Sequence, residues 1–220
     1  MGTLDNRSAA RWTVASIGAN PEQGSTMLTS VAAWKTIAEQ FRARLRHVSA
    51  DHFELPTPCP EWNVYDLVQH TINAQHAIFA PLTGADIDPR SLTLDDPSFG
   101  IDLEPGPDPH RTWDQVAARI LSALDRPGAL DDQLVSVWMT RPWREGILYP
   151  ASDLLLHTWD LARALQLDET LPEDVCELVL DFALPFDGKV HQPLVYADRV
   201  QPPPDANTQT RLLNFSGRQP

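Results

Sequence analysis

One predicted helix, over residues 151–166, constrains the fold of this chain more than any other stretch. Its sequence is ASDLLLHTWDLARALQ, and its apolar residues recur at helical spacing. Asp153 and His157 lie four residues apart in it, so both side chains leave the same side of the helix. A carboxylate and an imidazole are both metal ligands, and metal sites in helical bundles take ligands from facing helices. A metal site here therefore requires a second helix that carries the remaining ligand.

Apolar periodicity predicts further amphipathic helices along most of the chain. Three of them have the spacing of a capping box at their start: Asn63 with Asp66, Thr112 with Gln115, and Thr170 with Glu173. Strand signals are few, and residues 134–149 are compatible with either a short strand or an irregular arm. Since amphipathic helices bury their apolar faces against one another, we predict an all-α fold. It would be a four-helix bundle with an additional helix and an irregular C-terminal tail.

Two segments lack this periodicity. Residues 1–24 are polar and are interpreted as a flexible N-terminal arm, which leaves residues 25–220 as a single helical-bundle domain large enough to bury its own core. Residues 81–110 are acidic and rich in proline and glycine, as is typical of a lid or a mobile loop.

Charge and composition exclude several classes of partner. The net charge of −13 at pH 7 would repel the phosphates of nucleic acids and the surface of anionic membranes. No apolar run approaches the roughly 20 residues of a membrane span. Cys59 and Cys176 form neither a C-x-x-C pair nor a disulfide framework. We therefore expect a soluble, cytoplasmic protein.

The best partner for Asp153 and His157 is His70, on the flank of the second predicted helix. His76 lies about 120° further round that helix and cannot serve the same site. Two histidines and one carboxylate leave at least one coordination position open, which is the arrangement of catalytic zinc sites. The same set could hold Fe(II), Ni(II) or Mn(II). The alternative, which spacing alone leaves open, is that His70 is a boundary residue and Asp153 merely suits the positive end of its helix.

Two long motifs resemble those of a known family. Residues 57–70, TPCPEWNVYDLVQH, are similar to the TPCPGW-V-DL--H signature of the actinobacterial DinB-like proteins, and residues 153–164, DLLLHTWDLARA, resemble their second signature. The closing residues 212–220, LLNFSGRQP, resemble the GR-x-P segment of that family. This superfamily includes the metal-binding domain of mycothiol-dependent maleylpyruvate isomerase.

The resemblance implies an up-down-down-up four-helix bundle that holds a divalent metal, usually zinc or nickel. Carried over to this chain, the ligands are His70, Asp153 and His157. It also implies mycothiol as a cosubstrate, and a metal-dependent transferase or isomerase that acts on a small-molecule thiol and an electrophile. The catalytic acid or base is not identified.

This chain departs from the family pattern in three ways. Glu61 stands where the family often has glycine, and Asp153 stands where the isomerase has glutamate. The isomerase also has an additional C-terminal domain, whereas only residues 186–220 follow the fifth predicted helix. We therefore do not expect maleylpyruvate isomerase activity itself.

Several alternatives remain open. The chain could be a non-enzymatic metal-binding module, or an interaction module without a metal, and a homodimer is an open expectation. Asp160 is three residues from both His157 and Arg163, so it could orient the histidine ring or pair with the arginine. Cys59, flanked by two prolines, is interpreted as a packing residue.

Overall fold

The computed structural model describes residues 29–60, 62–87, 108–136, 138–192 and 195–220. The predicted arm over residues 1–24 lies outside the described residues, as does most of the predicted acidic loop. In chain order the helices are α1 (Ser30–Leu45), α2 (Val64–Ile78), α3 (Ala80–Thr83), α4 (Pro109–Leu124), α5 (Trp143–Gly146), α6 (Leu148–Ala164), α7 (Glu173–Ala183), α8 (Asp187–Val190) and α9 (Thr208–Phe215). The strands are β1 (Gln133–Val135) and β2 (Thr140–Pro142).

The predicted all-α fold is confirmed, because the described strands form only one two-stranded sheet. The four long helices pack around a common core: α1 contacts α6 and α4, and α2 contacts the same two helices. Aromatic pairs join these helices to one another and to the segments that flank them. Phe41 meets Trp113 edge-on at 4.8 Å between ring centroids, and Phe79 stacks on Trp143 at the same distance.

A buried glutamine fixes the relative positions of α1, α2 and α6. The side-chain oxygen of Gln75 accepts a hydrogen bond from Trp34 Nε1 at 3.0 Å, and its Nε2 donates to the carbonyl of Pro150 at 2.9 Å. Gln75 has no exposed surface, so its polar groups depend on these partners. The bonds hold α2 against α6, which carries the other predicted ligands.

The start of α2 confirms one predicted capping box. Asn63 Oδ1 accepts from the backbone N–H of Asp66 at 2.9 Å, and Asp66 Oδ2 accepts from the N–H of Asn63 at 3.2 Å. The proline-rich connector is held to this start by the N–H of Val64, which donates to the carbonyl of Leu55 at 2.9 Å. These contacts set where α2 begins, and hence where His70 falls.

The other two predicted capping boxes are wrong. Helix α4 begins three residues before Thr112, at Pro109, with the side chain of Asp108 capping it at 3.0 Å from the N–H of His110. Helix α7 begins at Glu173 directly after Pro172, so Thr170 does not cap it. Pro109 is the first residue of α4, where a missing N–H costs nothing, and Pro172 is the residue directly before α7.

The ambiguous stretch over residues 134–149 contains an antiparallel hairpin followed by a helical turn. Strand β1 pairs with β2, with Leu134 opposite Arg141. The hydroxyl of Ser136 accepts from the N–H of Met139 at 3.2 Å and closes the turn. Helix α6 then starts at Leu148, three residues earlier than predicted, and Pro150 lies in its first turn as expected.

The C-terminal tail, which the sequence predicted to be irregular, contains a helix. Helix α9 packs on α7 and buries Leu212, Leu213 and Phe215. After it the chain turns at Gly217, whose φ of +85° favours glycine. A Cβ at this position would lie 2.6 Å from the Cβ of Ala197. The segments around Ala197 and Gly217 can therefore pack this closely only because residue 217 is glycine. This turn sends Arg218 back toward α6. Among the described helices, none combines the length and apolarity needed to cross a bilayer.

We predict that Gly217→Ala lowers the free energy of unfolding by about 1–2 kcal/mol or more, because the left-handed backbone and the contact with Ala197 both oppose a Cβ. The matched control is Gly188→Ala, since Gly188 lies in α8 with nothing within 4 Å of the added atom. Urea denaturation measures both variants. Equal unfolding midpoints for the two would contradict the assignment of Gly217 as a required turn.

Candidate metal centre

The three predicted ligands lie together, with His70 on α2 facing Asp153 and His157 on α6. One ligand atom from each residue lies within 4.8 Å of the other two. The histidine rings meet edge-on, with 4.9 Å between their centroids. Both histidines are buried, whereas the side chain of Asp153 keeps 28% of its surface exposed. The cluster is therefore open to solvent on one side only.

Asp153 lies between the two histidines at equal distances. Its Oδ1 is 3.5 Å from His70 Nε2 and 3.4 Å from His157 Nε2. These separations exceed the roughly 2.7–3.2 Å of an ordinary N–H···O bond. They match the separation of about 3.3 Å between two donors that share one tetrahedral metal at about 2.0–2.1 Å each.

The other carboxylate oxygen of Asp153, Oδ2, is buried and has no hydrogen-bond partner among the described residues. Buried carboxylates are ordinarily paired or bound to metal, because leaving the charge uncompensated is costly. A cation beside this carboxylate would remove the deficiency, so the donor set fits a divalent metal.

The second ring nitrogen of His157 is held by a buried carboxylate. His157 Nδ1 lies 2.9 Å from Asp160 Oδ2. Because Asp160 is ionised, the proton of the neutral ring belongs on Nδ1, which leaves the lone pair of Nε2 directed to the ligand cluster. Carboxylates fix metal-bound histidines in this way in many proteins.

Asp160 is itself compensated by an arginine from the end of the chain. It has no exposed surface, and its oxygens accept from Arg218 Nε at 2.8 Å and Arg218 Nη2 at 2.6 Å. The thiol of Cys59 donates to the same carboxylate at 3.3 Å. Burial would raise the pKa of Asp160, but the ion pair and hydrogen bonds with Arg218, helped by His157, hold that pKa well below its usual range.

Electrostatics couples the cluster in a similar way. Burial would raise the pKa of Asp153, yet the adjacent His157 and His70 lower it far below the usual value. Burial likewise opposes protonation of His157, but Asp153 and Asp160 raise its pKa well above the usual value. The two carboxylates thus favour positive charge on the His157 ring, Asp153 from the side of Nε2 and Asp160 from the side of Nδ1.

Trp62 covers the two histidines. Its ring centroid lies 4.5 Å from that of His70 and 5.7 Å from that of His157. Trp62 belongs to the connector before α2, so the proline-rich motif both starts the helix and covers the two predicted histidine ligands.

The remaining sequence predictions are resolved as follows. Asp160 orients His157 and does not pair with Arg163, which instead binds Glu169 through two contacts at 3.0 and 2.7 Å. Cys59 is only half-buried, and its thiol contacts Asp160, so it is more than a packing residue. Arg218 was missed as a site residue. The only signal for it in the sequence was its place in the GR-x-P segment.

A cavity of about 980 Å³ opens onto the cluster. It is bounded by the connector before α2, by α2 and α6, by the hairpin turn, by the end of α7 and by the two tail segments around Ala197 and Gly217. Asp153 therefore faces a space large enough for small molecules.

Comparison with known proteins shows which sequences this chain is similar to. The sequence model of the mycothiol maleylpyruvate isomerase N-terminal domain matches residues 34–162, more than half of the chain. Two uncharacterised proteins from two strains of Mycobacterium tuberculosis are each 29% identical to it over 126 residues, which cover 57% of this chain and 62% of each relative. The chain thus matches less than two thirds of the length of these relatives.

Solved structures show the same fold. The crystal structures of the mycothiol-dependent maleylpyruvate isomerase and of a histidine-to-alanine variant superpose with a TM-score of 0.53 at 14% identity. The likeness covers 68% of this chain and 65% of the isomerase. It confirms the DinB-like fold class. The homodimer considered in the sequence analysis receives no support from these comparisons and stays a prediction.

We predict that Arg218→Ala destabilises the protein by about 3–5 kcal/mol, because it leaves the Asp160 carboxylate buried without its cation. Arg211→Ala, in the exposed part of α9, is the matched control and should change stability by less than about 0.5 kcal/mol. Adding Asp160→Asn to Arg218→Ala should recover part of the loss in urea denaturation. If Arg218→Ala unfolds at the same midpoint as Arg211→Ala, the ion pair does not stabilise the site.

Proposed function

Since this chain belongs to the mycothiol maleylpyruvate isomerase N-terminal domain family, we propose that it binds a divalent metal. With a small-molecule thiol as cosubstrate, it would use this metal to catalyse a group transfer or an isomerisation. The metal ligands in this proposal are His70, Asp153 and His157. Zinc or nickel is the proposed metal because the family resemblance implies one of the two, and two imidazoles with one carboxylate suit both.

The observation that carries the metal proposal is the placement of Asp153 Oδ1 at 3.4 and 3.5 Å from two imidazole nitrogens. Such spacing is too long for good hydrogen bonds and right for ligands of one ion. The unsatisfied Oδ2 of the same residue supports it independently.

The exposed side of Asp153 favours an enzyme over a structural metal site. A metal that only stapled α2 to α6 would be closed off by four protein ligands. Here three ligands converge, and the cluster lines a cavity of about 980 Å³. The alternative of a non-enzymatic module accounts for the burial of the histidines but not for the cavity.

A bound metal would supply a position that favours the thiolate form of a thiol. The chain's own residues would prepare that position. Asp160 keeps the proton of His157 on Nδ1, and Arg218 keeps Asp160 ionised. Trp62 covers both rings and limits the access of water to them.

Mycothiol is the thiol named for the isomerase whose fold this chain shares, so a mycothiol-type thiol is the proposed cosubstrate. The proposal extends to the class of thiol and to no specific electrophile. Since the chain covers 65% of the isomerase, isomerisation of maleylpyruvate is not part of the proposal.

We predict that the purified protein, expressed with zinc and nickel present, retains a divalent metal, and that His70→Ala weakens its binding by about tenfold or more because one ligand is lost. His76→Ala is the matched control, since His76 lies on the same helix outside the cluster. Elemental analysis and competition with a chromophoric chelator measure both variants. Metal content near zero, or content unchanged in His70→Ala, would sink the proposed site.

We also predict that a thiol changes the visible absorption of the cobalt-substituted protein, because the open position can accept a sulfur ligand. Mycothiol and a simple thiol such as cysteamine are the two probes, and the corresponding alcohol, ethanolamine, is the control. A spectrum that no thiol perturbs would favour the non-enzymatic module.

A further inference from the structure

One part of the cavity lining, away from the predicted ligands, is apolar, whereas residues such as Tyr149, Tyr196 and Asp198 add polar groups elsewhere in the lining. Its side chains come from the end of α2, the hairpin turn, the end of α7 and the tail. We call it the apolar wall, and it consists of Ile78, Trp138, Met139, Phe182, Phe186 and Val195. All six are only half-buried, and the rings of Phe182 and Phe186 lie 5.5 Å apart. Burying apolar surface of this kind against a ligand is favourable, because it removes that surface from water.

The cationic side chains that line the cavity are already neutralised. Among the described lining residues, Arg163 binds Glu169 and Arg218 binds Asp160, each through two hydrogen bonds. Three histidines also line the cavity: His70 and His157 belong to the cluster with Asp153, and His191 has Nε2 3.0 Å from Asp187 and Nδ1 2.8 Å from a backbone carbonyl. An anionic ligand would have to compete with these protein carboxylates for their cations.

The metal would not supply the missing charge. The two positive charges of a divalent ion would be balanced by the carboxylate of Asp153 and by one thiolate. A second anionic group would then enter a cavity whose described lining residues have no cation left for it, in a chain whose net charge is −13.

We infer that the apolar wall binds the second substrate of this protein, and that this substrate is a small, neutral, apolar molecule rather than a carboxylate. The cavity of about 980 Å³ lies at the upper end of the roughly 300–1,000 Å³ typical of ligand sites, so a thiol and a second ligand fit together. That the ligand is a substrate rests on the proposed function. That the wall binds neutral apolar molecules does not depend on the metal.

Two fluorescent probes test the charge preference directly. N-phenyl-1-naphthylamine is neutral, and 8-anilinonaphthalene-1-sulfonate has the same aromatic skeleton with one added sulfonate. With the zinc-supplemented full-length protein, the neutral probe should bind at least about tenfold more tightly, because the sulfonate finds no free cation. Equal affinities, or tighter binding of the sulfonate, would overturn the inference.

Lysine substitutions test the location. Met139→Lys and Phe186→Lys each place a charge in the apolar wall and should weaken binding of the neutral probe by about tenfold or more. The matched control is Val135→Lys, because Val135 lies on the same hairpin as Met139, is 71% exposed and does not line the cavity. Thermal melts check folding, and either wall variant suffices if the other fails to fold. If a folded wall variant binds the neutral probe as well as Val135→Lys does, the wall is not the binding surface.

Removal of the metal separates this inference from the proposed function. Protein freed of metal with a chelator should still bind N-phenyl-1-naphthylamine with the affinity of the zinc-supplemented protein, because the apolar wall contains none of the predicted ligands. If the parent protein retains no metal, the proposed function fails, while the two probe experiments still decide the chemistry of the cavity. Loss of probe binding in folded, metal-free protein would show that the metal, and not the apolar wall, holds the ligand, and would overturn the inference.

Discussion

The buried ion pair between Asp160 and Arg218 is the interaction on which the candidate site depends. It joins α6 to the last residues of the chain, and Cys59 adds the connector before α2 to the same carboxylate. Without Arg218, the fully buried Asp160 would have to give up its charge or take in water. A neutral Asp160 could no longer hold the proton of His157 on Nδ1. The packing of the tail therefore determines the state of a residue that lies on another helix.

The cluster of His70, Asp153 and His157 differs from this ion pair, because the contacts that hold it in place leave one of its polar atoms without a hydrogen bond from the described residues. Gln75 and the capping box of Asn63 fix α2, and the helix spacing fixes Asp153 relative to His157. That atom is Oδ2 of Asp153, which is buried and accepts no hydrogen bond from any described residue. Such a group costs stability in the absence of a cation, which is the usual relation between a preformed site and its ligand.

What the sequence predicted well depends on contacts close along the chain. The capping box of Asn63 spans three residues, and Asp153 and His157 are four apart on one helix, so both follow from helical geometry. Helical spacing also made His70 the best partner for them, but it left open that His70 is a boundary residue, and the family resemblance favoured the ligand assignment. Two predicted caps were wrong, because α4 begins with Pro109, three residues before Thr112, and α7 begins after Pro172, three residues beyond Thr170.

The parts that the sequence could not provide involve distant residues. Arg163 was an open candidate to pair with Asp160, yet the chain reverses after α6 at Gln166, with a φ of +54°, and brings Glu169 back to it. That leaves Asp160 for an arginine 58 residues further along the chain. No local pattern encodes such a choice, because it is decided by which charge is buried and which is exposed after packing.

The same tail contributes both to the ligand cluster and to the cavity. Gly217 packs against Ala197, and both segments line the space that the apolar wall encloses. Because Arg218 follows Gly217 directly, a shift of the tail that reshaped the cavity would also strain the bond to Asp160. The cluster and the cavity are therefore not independent modules: residues such as Met139 on the hairpin can vary the cavity without that strain, whereas residues around Gly217 cannot. Diversity in what such a fold binds should accordingly arise at the hairpin turn and at the end of α7, which line the cavity without belonging to the tail.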